Sequence, residues 1–171
     1  IEHYYELDVS ASDWEDALAE IERQIGNLFT NKVFRRLSRV PSRIVEFERL
    51  VQIQVSGVPV WVSLDVLVQD EAGGYVIIDW KTGKAQDKAA IAGQLGVYGV
   101  YVQQTFLKPG GQESVFGDAS IKTMHVNLRT NEHAWWPIEQ EHLVEATATI
   151  ERSAAQMRAK LRDADNNVAV K

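Results

Sequence analysis

Tyr75-Val76-Ile77-Ile78-Asp79-Trp80-Lys81-Thr82-Gly83 is the stretch on which the fold turns. It is an apolar run with β-branched residues, launched from a Gly73-Gly74 turn and ended at Thr82-Gly83, and it reads as a short buried strand. Side chains alternate across a strand, so Asp79 and Lys81 project from the same face. A charged pair at the end of an apolar strand costs free energy unless something there uses it. Upstream, Val58, Val60, Val62, Leu64, Val66 and Val68 alternate along one side of a second strand, with Asp65 on the opposite face. Pairing these two strands in a hairpin brings two carboxylates and one lysine together.

Outward from this pair, Arg43 to Val55 reads as a further strand, with Val45, Phe47, Val51, Ile53 and Val55 on one face and Glu46 and Glu48 on the other. Ser56-Gly57 and the 70–74 segment supply the turns, giving a three-stranded antiparallel meander. Before it, Ser12-Asp13-Trp14-Glu15 offers a capping box with Ser12 as N-cap. Trp14, Leu18, Ile21, Ile25 and Leu28 then mark an amphipathic helix. That helix ends near Asn31, or continues brokenly through Phe34 and Leu37 to Pro41-Ser42. After the meander, Lys88 to Phe106 has helical spacing, with Ile91, Leu95 and Val102 as core candidates, and Lys108-Pro109-Gly110-Gly111 stops it. Strands from Ser120 to Leu128 and from His133 to Ile138 flank a turn at Arg129–Glu132. A closing helix from Glu139 to Leu161 carries Leu143, Ala146, Ile150, Ala154, Met157 and Leu161 on one face. The order αβββαββα predicts one α/β domain over residues 1–162 with a mixed sheet, and a frayed tail at 163–171.

At 171 residues the chain is long enough for one domain with a sizeable core, and 45% hydrophobic content argues against a disordered chain. No apolar run approaches the roughly 20 residues of a membrane helix, so no membrane association is expected. The absence of cysteine excludes disulfides, thiolate metal sites and a cysteine nucleophile, and fits a cytoplasmic protein. The net charge of −6 is unevenly spread: residues 1–22 hold eight acids and no Lys or Arg, leaving 16 acids against 18 bases elsewhere. Lys32, Arg35, Arg36, Arg39 and Arg43 form a basic run that suits either phosphate contact or a solvated helix face.

Asp65, Asp79 and Lys81 are the residue types that phosphodiester hydrolysis needs. Hard carboxylate oxygens suit Mg²⁺ or Mn²⁺, which polarise a phosphoryl oxygen and acidify water. An adjacent lysine can orient that water and offset charge in the transition state. On charge spacing alone, a structural Asp–Lys pair explains the same residues. The surrounding motifs add to this. Val62-Ser63-Leu64-Asp65, Ile78-Asp79-Trp80-Lys81-Thr82-Gly83 and Gln94-Leu95-Gly96-Val97-Tyr98 occur in order over Glu48 to about Tyr101. Together they resemble the PD-(D/E)XK nuclease superfamily, and most of all its RecB-like branch.

The resemblance implies a restriction-endonuclease-like fold and a DNA nuclease dependent on Mg²⁺ or Mn²⁺ that cuts through metal-activated water. It further implies an exonuclease of DNA repair, recombination or phage defence, working alone or with a helicase or other module of a larger complex. By the same resemblance Asp65, Asp79 and the Trp80 carbonyl are metal ligands, Lys81 is the catalytic lysine, and Gln94, Tyr98 and Thr82 border the substrate. The branch carries an upstream helix whose histidine or glutamate completes the metal site. The only early histidine here is His3, and the chain begins at Ile1 rather than methionine. The expectation is that this motif precedes Ile1, with Ile1–Leu7 the end of its helix; Glu46 and Glu48 are the alternatives. Two rival functions share the sequence: a DNA-binding or scaffolding module with an incomplete metal site, and a structural subunit whose Asp–Lys pair is only a salt bridge.

Other candidate sites are weaker. No Gly-x-Ser-x-Gly elbow or phosphate-binding loop is present. His125, His133 and His142 lack metal-ligand spacing. Trp135-Trp136 can stack on bases, but beside Pro137 on an edge strand they are expected to pack on the last helix.

Overall fold

The computed structural model describes residues 10–83, 88–107 and 120–168. Its centre is β5 (Tyr75–Lys81), buried on both faces within a five-stranded sheet. The strand order is β1 (Ile44–Phe47), β4 (Val66–Gln69), β5, β6 (Ile121–Asn127), β7 (Glu132–Pro137). The β5–β6 pair is parallel and every other pair is antiparallel, so the sheet is mixed, as expected. Helices α1 (Ala11–Thr30) and α2 (Lys32–Leu37) lie on one side, where Leu28, Val33 and Leu37 pack with Val66, Ile78, Met124 and Val126. Helix α3 (Lys88–Val102) lies on the other, where Tyr101 and Val102 meet Leu67, Ile77 and Ile121. Helix α4 (Gln140–Val168) packs on α3. A Cβ on Gly96 would stand 3.0 Å from Ala146 Cβ and 3.1 Å from the His142 carbonyl oxygen, so this glycine lets α3 and α4 approach closely. This is the restriction-endonuclease-like architecture of a mixed sheet between helices.

The long hairpin expected from Arg43–Val55 and Val58–Val68 keeps its connectivity but is broken in the middle. Its outer half, β2 (Leu50–Val55) and β3 (Val58–Ser63), is a separate two-stranded ribbon. Its inner half, β1 and β4, belongs to the main sheet. The break falls at Glu48, whose φ of 41° lies in the left-handed region, and opposite it at Leu64-Asp65. The Glu48 amide donates to the Asp65 carbonyl across the bend. The alternation therefore changes phase: Val62 and Leu64 pack with Leu67 on the α3 side, whereas Val66 and Val68 face α1 and α2. Both faces of β4 are apolar, so periodicity alone does not reveal the slip.

Three further expectations are corrected. Helix α1 starts two residues earlier, with Ser10 as N-cap and Asp13 completing the capping box, because Ser10-x-x-Asp13 offers the same reciprocal bonds as Ser12-x-x-Glu15. Most of the apolar stripe of α1 is not in the core: Trp14, Leu18, Ile21 and Ile25 are 51–65% exposed, whereas Leu28 packs against the sheet core. The helix is instead rotated onto the sheet by polar contacts. Gln24 Nε2 donates to the Thr82 carbonyl (3.0 Å), Asn27 Nδ2 to the Leu128 carbonyl (2.7 Å) and Asn31 Nδ2 to Asn131 Oδ1 (2.8 Å). Last, α4 continues to Val168, beyond the expected end at Leu161, and Met157 and Leu161 are exposed.

Ile77, with no exposed surface, sits at the centre of the α3-side core. Ile77→Ala is expected to lower stability by about 2–5 kcal/mol in urea denaturation, through lost burial and the cavity left behind. Gly96→Val is expected to destabilise as well, because the new side chain meets the backbone of α4. Tyr101→Phe, which strips the buried Glu46 carboxylate of its 2.6 Å hydrogen bond, is expected to cost about 1–3 kcal/mol.

Candidate active site

Asp79 lies on the α3 side of β5, one pleat beyond Ile77, and is 1% exposed. Lys81, one pleat further, turns its ammonium back to Asp79 Oδ1 at 2.9 Å. Gln94 on α3 completes the group. Its Oε1 accepts from Lys81 Nζ (3.2 Å), while its Nε2 donates to Tyr98 Oη (2.7 Å) and lies 3.5 Å from Asp79 Oδ1. The four-residue spacing of Gln94 and Tyr98 sets both on the helix face that covers the strand end. Burial is the main influence raising the Asp79 pKa, opposed by Lys81 and reinforced by the Asp65 charge. Burial likewise raises Tyr98, which keeps its phenol proton available for donation.

Asp65 reaches the same strand end from the bend of the broken hairpin. Its Oδ2 accepts the Trp80 amide at 2.6 Å, a charge-assisted bond that ties the bend to β5. The chain thus brings Asp65, Asp79, Lys81, Gln94 and Tyr98 into one neighbourhood. Trp80 turns its ring to the opposite face, against Phe34, and Thr82 is exposed on the rim with its carbonyl bound by Gln24.

The alternatives for a further acidic ligand lie elsewhere. Glu46 is buried and bonded to Tyr101, and Glu48 is exposed at the bend. Residues 1–9, with His3, lie outside the described residues. The basic run is also apart: Lys32, Arg36 and Arg43 line a cavity of about 600 Å³ on the α1–α2 side of the sheet, with Lys122, His133 and Trp135. Trp135 is half exposed there rather than packed on the last helix.

One neighbour of Asp79 escapes a reading of spacing. His125 on β6 is the parallel register partner of Asp79 and presents its imidazole on the same face. Its Nε2 is 3.7 Å from Asp79 Oδ2, and among the described residues neither atom has a hydrogen-bond partner, although both are buried. Among the described residues, the hydrogen bonds to Asp79 all fall on Oδ1. A buried carboxylate oxygen without a donor is a costly arrangement, and it suits a cation. Among the described residues no group of three or more histidine, aspartate or glutamate side chains is placed to hold a metal ion, which leaves an open set of fewer donors at Asp79. A divalent ion fits such an open set, completing its shell with water and substrate oxygens, as Mg²⁺ commonly does.

A comparison with curated proteins returned no match. No helix among the described residues is long and apolar enough to cross a membrane. A model of the PD-(D/E)XK nuclease superfamily matches residues 2–169, nearly the whole chain and all of the strand-end constellation. Nucleases of that family generally use divalent metal ions and act on nucleic acid. The buried carboxylate beside a lysine on the central strand is thus found where such a family has use for it, and the chain belongs to the PD-(D/E)XK nuclease superfamily.

Proposed function

We propose that the protein is a deoxyribonuclease dependent on Mg²⁺ or Mn²⁺, of the RecB-like branch, with Asp65 and Asp79 as ion ligands and Lys81 as the catalytic lysine. The observation that carries this reading is the Asp79 carboxylate: one oxygen is held by Lys81 and Gln94, and the other is buried with no donor among the described residues. The D-x-K-T-G strand end followed by Gln94-x-x-x-Tyr98 favours the RecB-like branch. With it comes an exonuclease role in repair, recombination or phage defence, alone or beside a helicase.

A divalent ion at Asp79 would supply polarisation of the phosphoryl group and acidification of the attacking water. The side chains do the rest. Lys81 has three N–H donors, of which Asp79 and Gln94 take two, leaving one for the water or a phosphoryl oxygen. Gln94 fixes the ammonium through its carbonyl oxygen and the Tyr98 hydroxyl through its amide. The Tyr98 phenol, accepting that bond, keeps its own proton free for a substrate phosphate. Asp65 holds the hairpin bend against Trp80 and so sets the distance between the two carboxylates.

Two measurements test this. Labelled linear DNA is expected to be cut with Mn²⁺ or Mg²⁺, not with EDTA, and Lys81→Ala is expected to slow cutting by about a hundredfold or more. A circular substrate left intact would mark exonuclease action; no cutting of either by wild type would favour a non-catalytic DNA-binding module. In thermal denaturation, Mn²⁺ at about a hundred times its dissociation constant should stabilise the wild type by about 2.7 kcal/mol, raising Tm by roughly 5–10 °C. Asp79→Ala is expected to abolish that rise.

A further inference from the structure

Resting on the proposed metal centre, we infer that His125 is a direct ligand of the ion through Nε2, sharing it with Asp79 Oδ2. The two atoms face each other across adjacent parallel strands, 3.7 Å apart, both buried and, among the described residues, both without a hydrogen-bond partner. That separation is too long for a hydrogen bond. It is also short for a bridging water, whose two contacts of about 2.8 Å at a tetrahedral angle would separate the atoms by roughly 4.5 Å. Two donors each about 2.0–2.2 Å from one ion lie roughly 3.0 Å apart at a right angle and about 4.2 Å apart in opposition. The observed spacing falls between these limits, so a shared ion satisfies both atoms with little movement.

The surroundings agree. The β5–β6 register fixes Asp79 and His125 side by side, and Lys81 and Gln94 hold Asp79 by Oδ1, which turns Oδ2 toward the imidazole. His125 is largely buried, so it is not placed to serve as a surface contact. A nitrogen donor also changes the choice of ion. Imidazole is softer than carboxylate and favours a transition ion over Mg²⁺, so Mn²⁺ is expected to bind more tightly than Mg²⁺.

The test is pulsed electron paramagnetic resonance of Mn²⁺ bound to the full chain, which detects nitrogen coordinated to the ion without any turnover. The wild type is expected to show ¹⁴N modulation that changes on ¹⁵N-histidine labelling, a comparison that needs no substitution. His125→Gln is expected to remove it and to weaken Mn²⁺ binding about tenfold or more, with a smaller loss for Mg²⁺, while His3→Gln keeps it. If Mn²⁺ binds and is released by Asp79→Ala, yet shows no nitrogen coupling or keeps it in His125→Gln, the ligand assignment is overturned and the metal centre stands. If the wild type binds no Mn²⁺, both fall.

Discussion

The burial of one charge governs the working end of this protein. Asp79 sits at the end of a strand that is covered on both faces, where an uncompensated carboxylate is strongly disfavoured. Lys81 compensates part of that charge, and Gln94 holds Lys81 in position from a different element. Removing the lysine would leave a buried carboxylate with a distant amide and no cation among its described partners. The ion pair is therefore better understood as half of an arrangement than as a source of stability, since buried pairs seldom repay their own desolvation. What remains unbalanced, the bare Oδ2, is the part available to chemistry.

The broken hairpin serves the same end. A continuous pair of strands from Arg43 to Val68 would carry Asp65 along the sheet with regular alternation and no special aim. The bend at Glu48 and Leu64-Asp65 instead divides the hairpin between two tasks. One half pairs with β5, and the other packs against α3 and α4. The bend releases the Asp65 side chain to bond the Trp80 amide, so the second carboxylate is fixed by the very strand that carries the first.

Much of this was legible in the sequence, because local chemistry wrote it there. The Asp79-x-Lys81 strand end and the Gln94-x-x-x-Tyr98 helix face follow from periods of two and four residues, and each structural partner is the one that those periods predict. The α1 stripe shows the limit of such reasoning. Amphipathicity identifies an apolar face at Trp14, Leu18, Ile21 and Ile25 but not what lies against it, and here Gln24, Asn27 and Asn31 decide the docking. Glu46 shows the same limit: it lies on the face opposite the apolar alternation of its strand, yet Tyr101, 55 residues away, holds it inside. His125 was invisible for a similar reason. Its meeting with Asp79 depends on the register of two parallel strands, which no short window of sequence encodes.

That parallel pairing has a consequence for how the chain matures. Asp65, at the bend before β4, and Asp79 on β5 are near in sequence, but the β5–β6 ladder cannot close until the chain has run through α3 to Asn127. Pairings across such sequence separations form late and slowly, because the loop must be closed before any contact rewards it. A nascent or partly unfolded chain thus lacks the lateral wall that buries Asp79 and keeps its strand end in water, where charges are cheap and weakly organised. Burial of Asp79 and completion of the parallel ladder are then a single event.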